Sequence, residues 1–349
     1  MTKTNKKMNL YSFKNDYSEG THPNILKAMV DLNLYQQNGY GEDEYTEKAI
    51  SIMKEKMQNP DVDIHFVTGG TQANLIVISS ILKPYESVIC ANSGHINVHE
   101  TGAIEATGHK VNTIDTKDGK ITKDGIKLVL EEHEDEHMVK PRLVYISNST
   151  EVGTIYNKEE LKLLYEFCHE NNLLLYLDGA RLGSALCSYE NDLTLKDISR
   201  LVDVFYIGGT KNGALLGEAI VICNEETKKD FRFHLKQKGA LLAKGRILGV
   251  TFYELFKNDL YFDLSKHTNK MAYKLNKGIT DSGYKFLTSS STNQIFPIFP
   301  NDLIEKLNKK YSFYLWCKID QDNSAIRLVT SWATKEEIID RLIEDIKSF

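Results

Sequence analysis

Apolar runs alternate with amphipathic stretches along the first part of the chain. Strand-like runs lie at residues 64–66, 87–91, 142–147, 173–178 and 202–207. Stretches with the spacing of one apolar helical face lie between them, at residues 72–82, 96–106 and 158–169. The run at 173–178 is apolar almost throughout, which is typical of a parallel strand buried on both faces. The alternation predicts an α/β fold with a mostly parallel sheet and right-handed crossovers.

The pattern changes after about Arg246, where longer amphipathic helices begin. Short strand-like runs follow at residues 295–299 and 325–329. The chain contains no internal repeat and no low-complexity linker, and it is long enough for one large core and a smaller domain. We therefore predict a large domain at residues 1–245, including an N-terminal segment, and a smaller C-terminal α/β domain at residues 246–349.

The composition is ordinary for a globular enzyme, with 41% hydrophobic and 26% charged residues. A net charge of −5 gives no reason to expect a basic, nucleic-acid-binding face. The Lys-rich start at residues 1–7 precedes no apolar segment of a secretory signal, and no apolar stretch is long enough to cross a bilayer. We expect a cytoplasmic protein that binds neither nucleic acid nor a membrane.

The sequence does not favour a metal site. The five cysteines are far apart and form no CxxC pair, which fits a reducing compartment without structural zinc. Residues 133–137 formally match the zinc-protease motif HExxH, but they lie in an acidic stretch that ends at Pro141. Such a stretch is typical of a solvated helix end.

Asp178 and Lys211 each follow an apolar strand-like run. Asp178 ends the run 173–178, and Lys211 lies in the Gly-rich turn 208–213 just after the run 202–207. Open α/β sheets bind ligands at this edge, and glycines let the backbone approach a cofactor closely. The lysine could form an imine with pyridoxal phosphate (PLP), and the aspartate could keep the pyridine nitrogen protonated. Taken singly, a solvated lysine and a structural aspartate are open alternatives.

Two further segments could bind anions. Gly70 and Thr71 lie between a predicted strand and a predicted helix, where free N–H groups and the helix dipole favour a phosphate. The alternative is a loop that only turns the chain, and neither GxGxxG nor GxxxxGK[ST] occurs. Arg181 could bind a phosphate or carboxylate, or it could form an ion pair with Asp178.

His95 follows a strand and could stack on a cofactor ring, whereas His99 lies one helical turn later and could share its face. Spacing alone does not choose between them. Arg327 lies in the run 325–329, where strand alternation would point it away from its apolar neighbours. Its guanidinium could hold a substrate carboxylate through two hydrogen bonds, and the alternative is an edge-strand arginine in water.

Motifs along most of the chain resemble those of the threonine aldolase/β-eliminating lyase group of fold-type I PLP enzymes. They lie at residues 13–23, 39–43, 70–74, 95–100, 177–182, 208–213 and 326–332. The pair DGARL and GGTKNG, in this order, is specific. The resemblance implies an aspartate-aminotransferase-like large domain and a smaller α/β C-terminal domain. It also implies that Lys211 bonds to PLP, Asp178 pairs with the ring nitrogen and His95 stacks on the ring. It favours His95 over His99 because His95 lies five residues before Glu100.

The resemblance assigns further binding residues. Gly70 and Thr71 would hold the phosphate, Arg327 the substrate carboxylate, and Arg181 would support that end of the site. Lys244 lies in what looks like a basic segment that reaches a phosphate.

Asn15 and Tyr40, whose roles the local pattern does not assign, are included as substrate-binding residues. Such enzymes are usually homodimers or homotetramers, so Tyr40 is expected to approach the site of another subunit. The expected ligand is a small-molecule amino acid.

One segment departs from the better-known aldolase branch. That branch has a histidine near the substrate hydroxyl, whereas residues 147–154 here contain none. Glu151 is either its polar replacement or a surface charge. We expect PLP-dependent aldol cleavage of a β-hydroxy-α-amino acid, such as threonine, allo-threonine or phenylserine, to glycine and an aldehyde. Glu151, a bound water and His95 are candidate bases. β-Elimination and transamination are the enzymatic alternatives, and a PLP-binding scaffold is the non-enzymatic one.

Overall fold

The computed structural model describes residues 10–349. The Lys-rich start, in which we expect no secretory signal, lies outside the described residues. The described strands, in chain order, are β1 (Tyr11–Ser12), β2 (Asp63–Val67), β3 (Glu86–Ala91), β4 (Val111–Ile114), β5 (Lys140–Ser147), β6 (Leu174–Asp178), β7 (Val204–Gly208), β8 (Glu218–Ile222), β9 (Lys285–Phe286), β10 (Gln294–Ile295), β11 (Pro297–Pro300), β12 (Tyr311–Ser312), β13 (Tyr314–Lys318) and β14 (Asn323–Val329).

The described helices, in chain order, are α1 (Pro23–Asp31), α2 (Glu44–Met57), α3 (Gly70–Ile81), α4 (His95–Val98), α5 (Lys123–Glu131), α6 (Lys158–Glu170), α7 (Leu182–Leu186), α8 (Leu195–Leu201), α9 (Phe231–Gln237), α10 (Arg246–Phe256), α11 (Leu260–Asp281), α12 (Asn301–Asn308) and α13 (Glu336–Lys347). Among residues 10–349, none of these helices is both long and apolar enough to span a membrane.

The large sheet has seven strands in the order β2-β8-β7-β6-β5-β3-β4. Strands β7, β6, β5, β3 and β4 are parallel, and β8 is antiparallel to both of its neighbours. Alternate residues of β6 enter different hydrophobic clusters: Leu175 and Leu177 pack in one, and Leu174 and Tyr176 in the other. Both faces of the strand are therefore buried, as its apolar run indicates. The predicted mostly parallel α/β sheet is confirmed.

The predicted helix over residues 96–106 is wrong. Helix α4 ends at Val98, and a turn leads to a short 3₁₀ segment, Glu105–Thr107. Thr101 and Gly102 have φ angles of 53° and 69°, in the left-handed region that an α-helix does not use. The helices predicted at 72–82 and 158–169 are confirmed as α3 and α6.

The smaller sheet has β14 hydrogen-bonded on both sides, to β13 on one side and to β10 and β11 on the other. Arg327 therefore lies on an interior strand, which rules out the edge-strand alternative. Helices α11, α12 and α13 contribute to the core of this part, together with Phe13 of the N-terminal segment. The core of the large sheet includes side chains of α10 and extends along the chain to Leu264. A division at residues 245 and 246 stays a prediction.

A close approach of two glycines joins the carboxyl ends of β6 and β7. The Gly208 N–H donates to the Gly179 carbonyl oxygen at 2.9 Å. A Cβ on Gly179 would lie 1.9 Å from the Tyr206 carbonyl oxygen, and one on Gly208 would lie 2.4 Å from the Ala180 carbonyl oxygen. Only hydrogen fits at either position. This approach brings the segments that carry Asp178 and Lys211 to the same edge of the sheet.

The Gly179→Ala substitution should lower the free energy of unfolding by about 3 kcal/mol, because a methyl group would force the backbones of β6 and β7 apart. Urea unfolding measures this change. Gly20→Ala is the control, since a Cβ there meets nothing within 4 Å and should leave stability almost unchanged. Equal stabilities for the two variants would contradict the close approach.

Candidate active site

Two adjoining cavities lie at the carboxyl edge of the parallel strands. The inner cavity, of about 120 Å³, is lined by residues that include Gly70, Thr71, Ser147, Asp178, Tyr206 and Glu218. The outer cavity, of about 470 Å³, is lined by residues that include Tyr17, His99, Tyr314, Leu315, Trp316 and Arg327. Four residues line both: His95, Glu151, Arg181 and Lys211. The sheet thus brings most of the predicted site residues into one connected space.

Asp178 is buried at the end of β6, and hydrogen-bond donors fix its carboxylate. Its Oδ1 accepts from the Tyr206 hydroxyl at 2.5 Å and the Ala180 N–H at 2.9 Å. Its Oδ2 accepts from the Tyr145 hydroxyl at 2.5 Å and, more weakly, from Asn74 Nδ2 at 3.4 Å. The carboxylate therefore has a set orientation at the inner cavity.

Lys211 lies in the turn that follows β7. Burial and the Arg181 guanidinium lower the pKa of Lys211 below its ordinary value, although nearby carboxylates act in the opposite direction. A lower pKa increases the fraction of neutral, nucleophilic amine. Glu218, at the start of β8, accepts from the Gly209 N–H at 2.9 Å and so supports the same turn. Burial raises the pKa of Glu218 to about 7.

The amino end of α3 is arranged to bind an anion. Its N-cap residue is Gly69, which has no side chain that could cap the N–H groups of the first turn. Gly70 and Thr71 begin this turn and line the inner cavity. A Cβ on Gly70 would lie 3.0 Å from the Tyr206 hydroxyl, so a side chain would crowd this wall. The uncapped helix start is suited to a phosphate.

These residues fit PLP. The cofactor requires an amine for its aldehyde, a carboxylate for its ring nitrogen and an anion site for its phosphate. Lys211, Asp178 and the start of α3 supply these three groups around one cavity. The fixed carboxylate of Asp178 is the most specific observation, because the long contact on its Oδ2 is weak enough to be displaced by a stronger donor.

His95 is the first residue of α4 and is oriented through both its side chain and its backbone. Its Nδ1 lies 2.8 Å from Glu100 Oε1, and its N–H donates to Glu151 Oε1 at 3.0 Å. The Glu100 contact fixes the orientation of the imidazole ring, and Nε2 is left without a partner from Glu100. His99 lines only the outer cavity, where burial, followed by its positively charged surroundings, which include Arg327 and Lys211, lowers its pKa.

Arg181 forms a buried pair with Asp16, and not with Asp178. Its Nε donates to Asp16 Oδ2 at 2.7 Å and its Nη2 donates to Oδ1 at 3.0 Å. Asn293 Nδ2 also donates to Asp16 Oδ2, at 2.8 Å. Burial alone would raise the pKa of Asp16, but Arg181 and Lys211 hold it below its ordinary value. Asp16 thus keeps one arginine in place at the junction of the two cavities.

Arg327 retains unused donor capacity. Its guanidinium lies over the rings of Tyr314 and Trp316, at 5.2 and 5.4 Å from their centroids. Its Nη2 donates to the Lys14 carbonyl oxygen at 3.2 Å, and its buried Nε has no partner among the described residues. An arginine held by aromatic rings with a free donor is suited to bind a carboxylate.

Glu151 faces the cavities and is not a surface charge. Its Oε1 accepts from the Ser147 hydroxyl at 2.7 Å as well as from the His95 N–H. Burial raises the pKa of Glu151 above its ordinary value. The carboxyl group therefore lies between the two cavities, both of which it lines.

Three predicted site residues do not line either cavity of their own chain. Asn15 caps a local turn, accepting from the Tyr17 N–H at 3.1 Å and the Ser18 hydroxyl at 2.9 Å. Tyr40 lines a separate cavity, and Lys244 is exposed. The polar segment 133–137 follows the end of α5, and no cluster of three metal-binding side chains occurs within residues 10–349.

Sequence reasoning did not identify Asp16, Tyr145, Tyr206 or Glu218 as site residues. Each lies in a segment whose local pattern is that of a turn or a buried strand. Tyr206 and Glu218 line the inner cavity, whereas Tyr145 bonds to Asp178 and Asp16 bonds to Arg181. These placements depend on pairing across the sheet and on long-range contacts, which short apolar runs do not encode. For Asp16, the only available signal is its place in the motif at residues 13–23.

Comparisons with known proteins agree with this architecture. The beta-eliminating lyase family model matches residues 14–300. A low specificity L-threonine aldolase of Pseudomonas sp. (strain NCIMB 10558) is 33% identical over 344 residues, covering 96% of this chain and 97% of that protein. The threonine aldolase of Leishmania major has a TM-score of 0.96 and 49% identity, covering 97% of this chain and 99% of that chain.

An aspartate aminotransferase mutant of Thermus thermophilus has a TM-score of 0.71 at 14% identity, covering 97% of this chain and 91% of that chain, which shows the fold alone. The predicted fold-type I, aspartate-aminotransferase-like architecture is confirmed.

The Asp16→Asn substitution should lower the free energy of unfolding at about pH 7 by about 3–5 kcal/mol, because it leaves the Arg181 charge buried without its partner. The pKa of Asp16 is lowered on folding, so its stabilising effect is present above its unfolded pKa and is lost as the pH falls through the folded one. Urea unfolding over this pH range should show the difference between wild type and variant shrinking in acid. Asp281→Asn, at an exposed site, is the control. A difference in the free energy of unfolding between wild type and Asp16→Asn that does not change with pH would contradict the pairing.

Proposed function

We propose that this chain, which belongs to the β-eliminating lyase family, cleaves a β-hydroxy-α-amino acid to glycine and an aldehyde. The chain is a PLP-dependent lyase. The observation that carries the proposal is the pair of adjoining cavities. Lys211 lines both of them, Asp178 lines the inner one and Arg327 lines the outer one. Similarity to threonine aldolases supports threonine as a substrate.

Arg327 would bind the α-carboxylate of the substrate. The stacking of its guanidinium on Tyr314 and Trp316 limits its motion, and its free Nε supplies a donor. Arg181 already donates to both oxygens of Asp16. Its role would therefore be to keep a positive charge at the junction of the cavities. Fixing the carboxylate also fixes which bond at Cα is perpendicular to the cofactor ring.

Lys211 and Asp178 would hold PLP, with Gly70 and Thr71 at its phosphate and His95 against its ring. When bound, PLP supplies an electron-accepting ring for the pair released as the Cα–Cβ bond breaks. Asp178 would accept a hydrogen bond from the ring nitrogen. Lys211, with its lowered pKa, would supply a neutral amine to the cofactor aldehyde.

Glu151 would accept the proton of the β-hydroxyl group. It lines both cavities, and its burial makes its carboxylate a stronger base than an exposed one. Ser147 and the His95 N–H orient the same oxygen, Oε1, which leaves Oε2 for the substrate. This arrangement supports the proposal that Glu151 takes the role of the histidine that residues 147–154 lack.

The outer cavity also supports acceptance of large β-substituents. Tyr17, Tyr314, Leu315 and Trp316 provide apolar and aromatic surface near Arg327. A phenyl group, as in phenylserine, would bury apolar area there that the methyl group of threonine would not. We therefore include threonine, allo-threonine and phenylserine among the substrates.

We further propose a cytoplasmic homodimer or homotetramer. Helix α1 and the segment after it expose large apolar side chains, which a second subunit would cover: Leu26, Val30, Leu34 and Tyr35 are 54%, 67%, 91% and 64% exposed. Tyr40 lies close in sequence to this surface, and Lys244 is also at the surface. Both residues would act toward the site of a neighbouring subunit.

A substrate panel tests the function. Purified protein with PLP should convert L-threonine, L-allo-threonine and phenylserine to glycine and the matching aldehyde. Cysteine-like amino acids and 2-oxo acids serve as controls for the competing reactions. Pyruvate with ammonia as the main products would instead indicate β-elimination, and amino transfer would indicate an aminotransferase. PLP binding without turnover of any substrate would contradict an enzymatic role.

The Glu151→Gln substitution should lower kcat for aldol cleavage by about 10²–10⁴-fold, because the amide does not accept the hydroxyl proton. PLP absorbance and the KM for L-threonine should stay close to those of wild type. Glu132→Gln, at an exposed position, is the matched control and should have wild-type kcat. Unchanged turnover by the Glu151 variant would exclude it as the base.

A further inference from the structure

Two buried tyrosine hydroxyls hold Asp178 from opposite sides. We propose that Tyr145 and Tyr206 are positioning residues that orient the Asp178 carboxylate toward the ring nitrogen of PLP. The inference rests on the proposed placement of the cofactor beside Asp178, and it assigns a role to two residues outside the cofactor contacts described above.

The sheet itself produces this arrangement. Tyr145 on β5 is paired with Tyr176 on β6, and Leu177 is paired with Phe205 on β7, which places Tyr206 beside Asp178. Because side chains alternate along a strand, Tyr176 and Asp178 share one face, and the neighbouring tyrosines lie on it too. Asp178 is thus enclosed by one phenol from each adjacent strand.

The hydrogen bonds to the carboxylate are not equally strong on its two oxygens. A carboxylate offers about four lone-pair sites. Oδ1 has two short partners, the Tyr206 hydroxyl and the Ala180 N–H, at 2.5 and 2.9 Å. Oδ2 has one, the Tyr145 hydroxyl at 2.5 Å, and a long contact to Asn74 Nδ2 at 3.4 Å. The weakest of the four contacts is therefore on Oδ2, and this is the contact that a strong N–H donor would displace.

Both tyrosines are fixed as donors. Burial, followed by the charge of Asp178, raises their pKa well above the ordinary value of a phenol. Each therefore keeps its proton and points it at the carboxylate. Tyr145 and Tyr176 also pack edge to face, with ring centroids 5.7 Å apart, which restricts the Tyr145 ring. Loss of either hydroxyl would let the carboxylate rotate or draw on other donors.

Asn74 connects the same carboxylate to the histidine side of the site. Its Nδ2 donates to Glu100 Oε1 at 2.7 Å, and Glu100 is in turn 2.8 Å from His95 Nδ1. The long contact from Asn74 to Asp178 is therefore secondary to its bond with Glu100. The two phenols remain the principal side-chain donors to Asp178.

Tyr145→Phe and Tyr206→Phe test the proposal, with Asp178→Asn as a reference. Each holoenzyme is assayed by equilibrium dialysis of PLP, by visible circular dichroism of the bound cofactor, and by kcat and KM with L-threonine. Each tyrosine variant should lose about 10- to 100-fold in PLP affinity or in kcat, as for other groups that orient a ligand-binding side chain. The KM should stay within about twofold, and the visible dichroism band should change because the ring is held differently.

Tyr156→Phe is the matched control. Tyr156 is also fully buried, but its hydroxyl accepts from the Ile121 N–H away from both cavities. It should leave the dichroism band and PLP affinity unchanged. Wild-type dichroism, affinity and kcat in both tyrosine variants, with a clear loss in Asp178→Asn, would overturn the positioning role alone. If Asp178→Asn also behaved as wild type, the proposed cofactor placement would fail as well. A Tyr156→Phe effect equal to those of the other two would likewise overturn the proposal.

Discussion

Charged side chains buried at one edge of a parallel sheet are the constraint on which this site depends. A buried charge is tolerated only when nearby groups compensate it. Asp16 and Arg181 compensate each other through two hydrogen bonds, and tyrosine hydroxyls stabilise Asp178. Lys211 lies among these groups and has a lowered pKa. The chemistry of the amine is therefore set by surroundings that come from several distant segments.

The close approach of β6 and β7 makes this clustering possible. Gly179 and Gly208 have backbone atoms where a side chain would otherwise be, so the two strand ends converge. Asp178 precedes Gly179, and Lys211 follows Gly208 by three residues. Both side chains therefore line the same cavity. Small residues at the strand ends thus determine the separation of Asp178 and Lys211.

The sequence predicted the central part of this arrangement. The apolar runs ending near Asp178 and Lys211 identified buried parallel strands, because such strands are apolar along their whole length. Prediction from the sequence failed where the local pattern of residues carries no information about long-range contacts. The helix predicted at residues 96–106 does not form, because Thr101 and Gly102 adopt left-handed angles that an amphipathic pattern does not reveal. Asp16 and Tyr206 reach the site through contacts far apart in sequence, so their positions required the structure.

The covalent bond between Lys211 and PLP is the central claim, and chemical trapping tests it most directly. The PLP-loaded protein is reduced with sodium borohydride, digested, and its peptides are mapped by mass spectrometry. The account predicts a phosphopyridoxyl group on the peptide that contains Lys211. A label on a different lysine, or a protein that binds PLP and yields no labelled peptide, would contradict it.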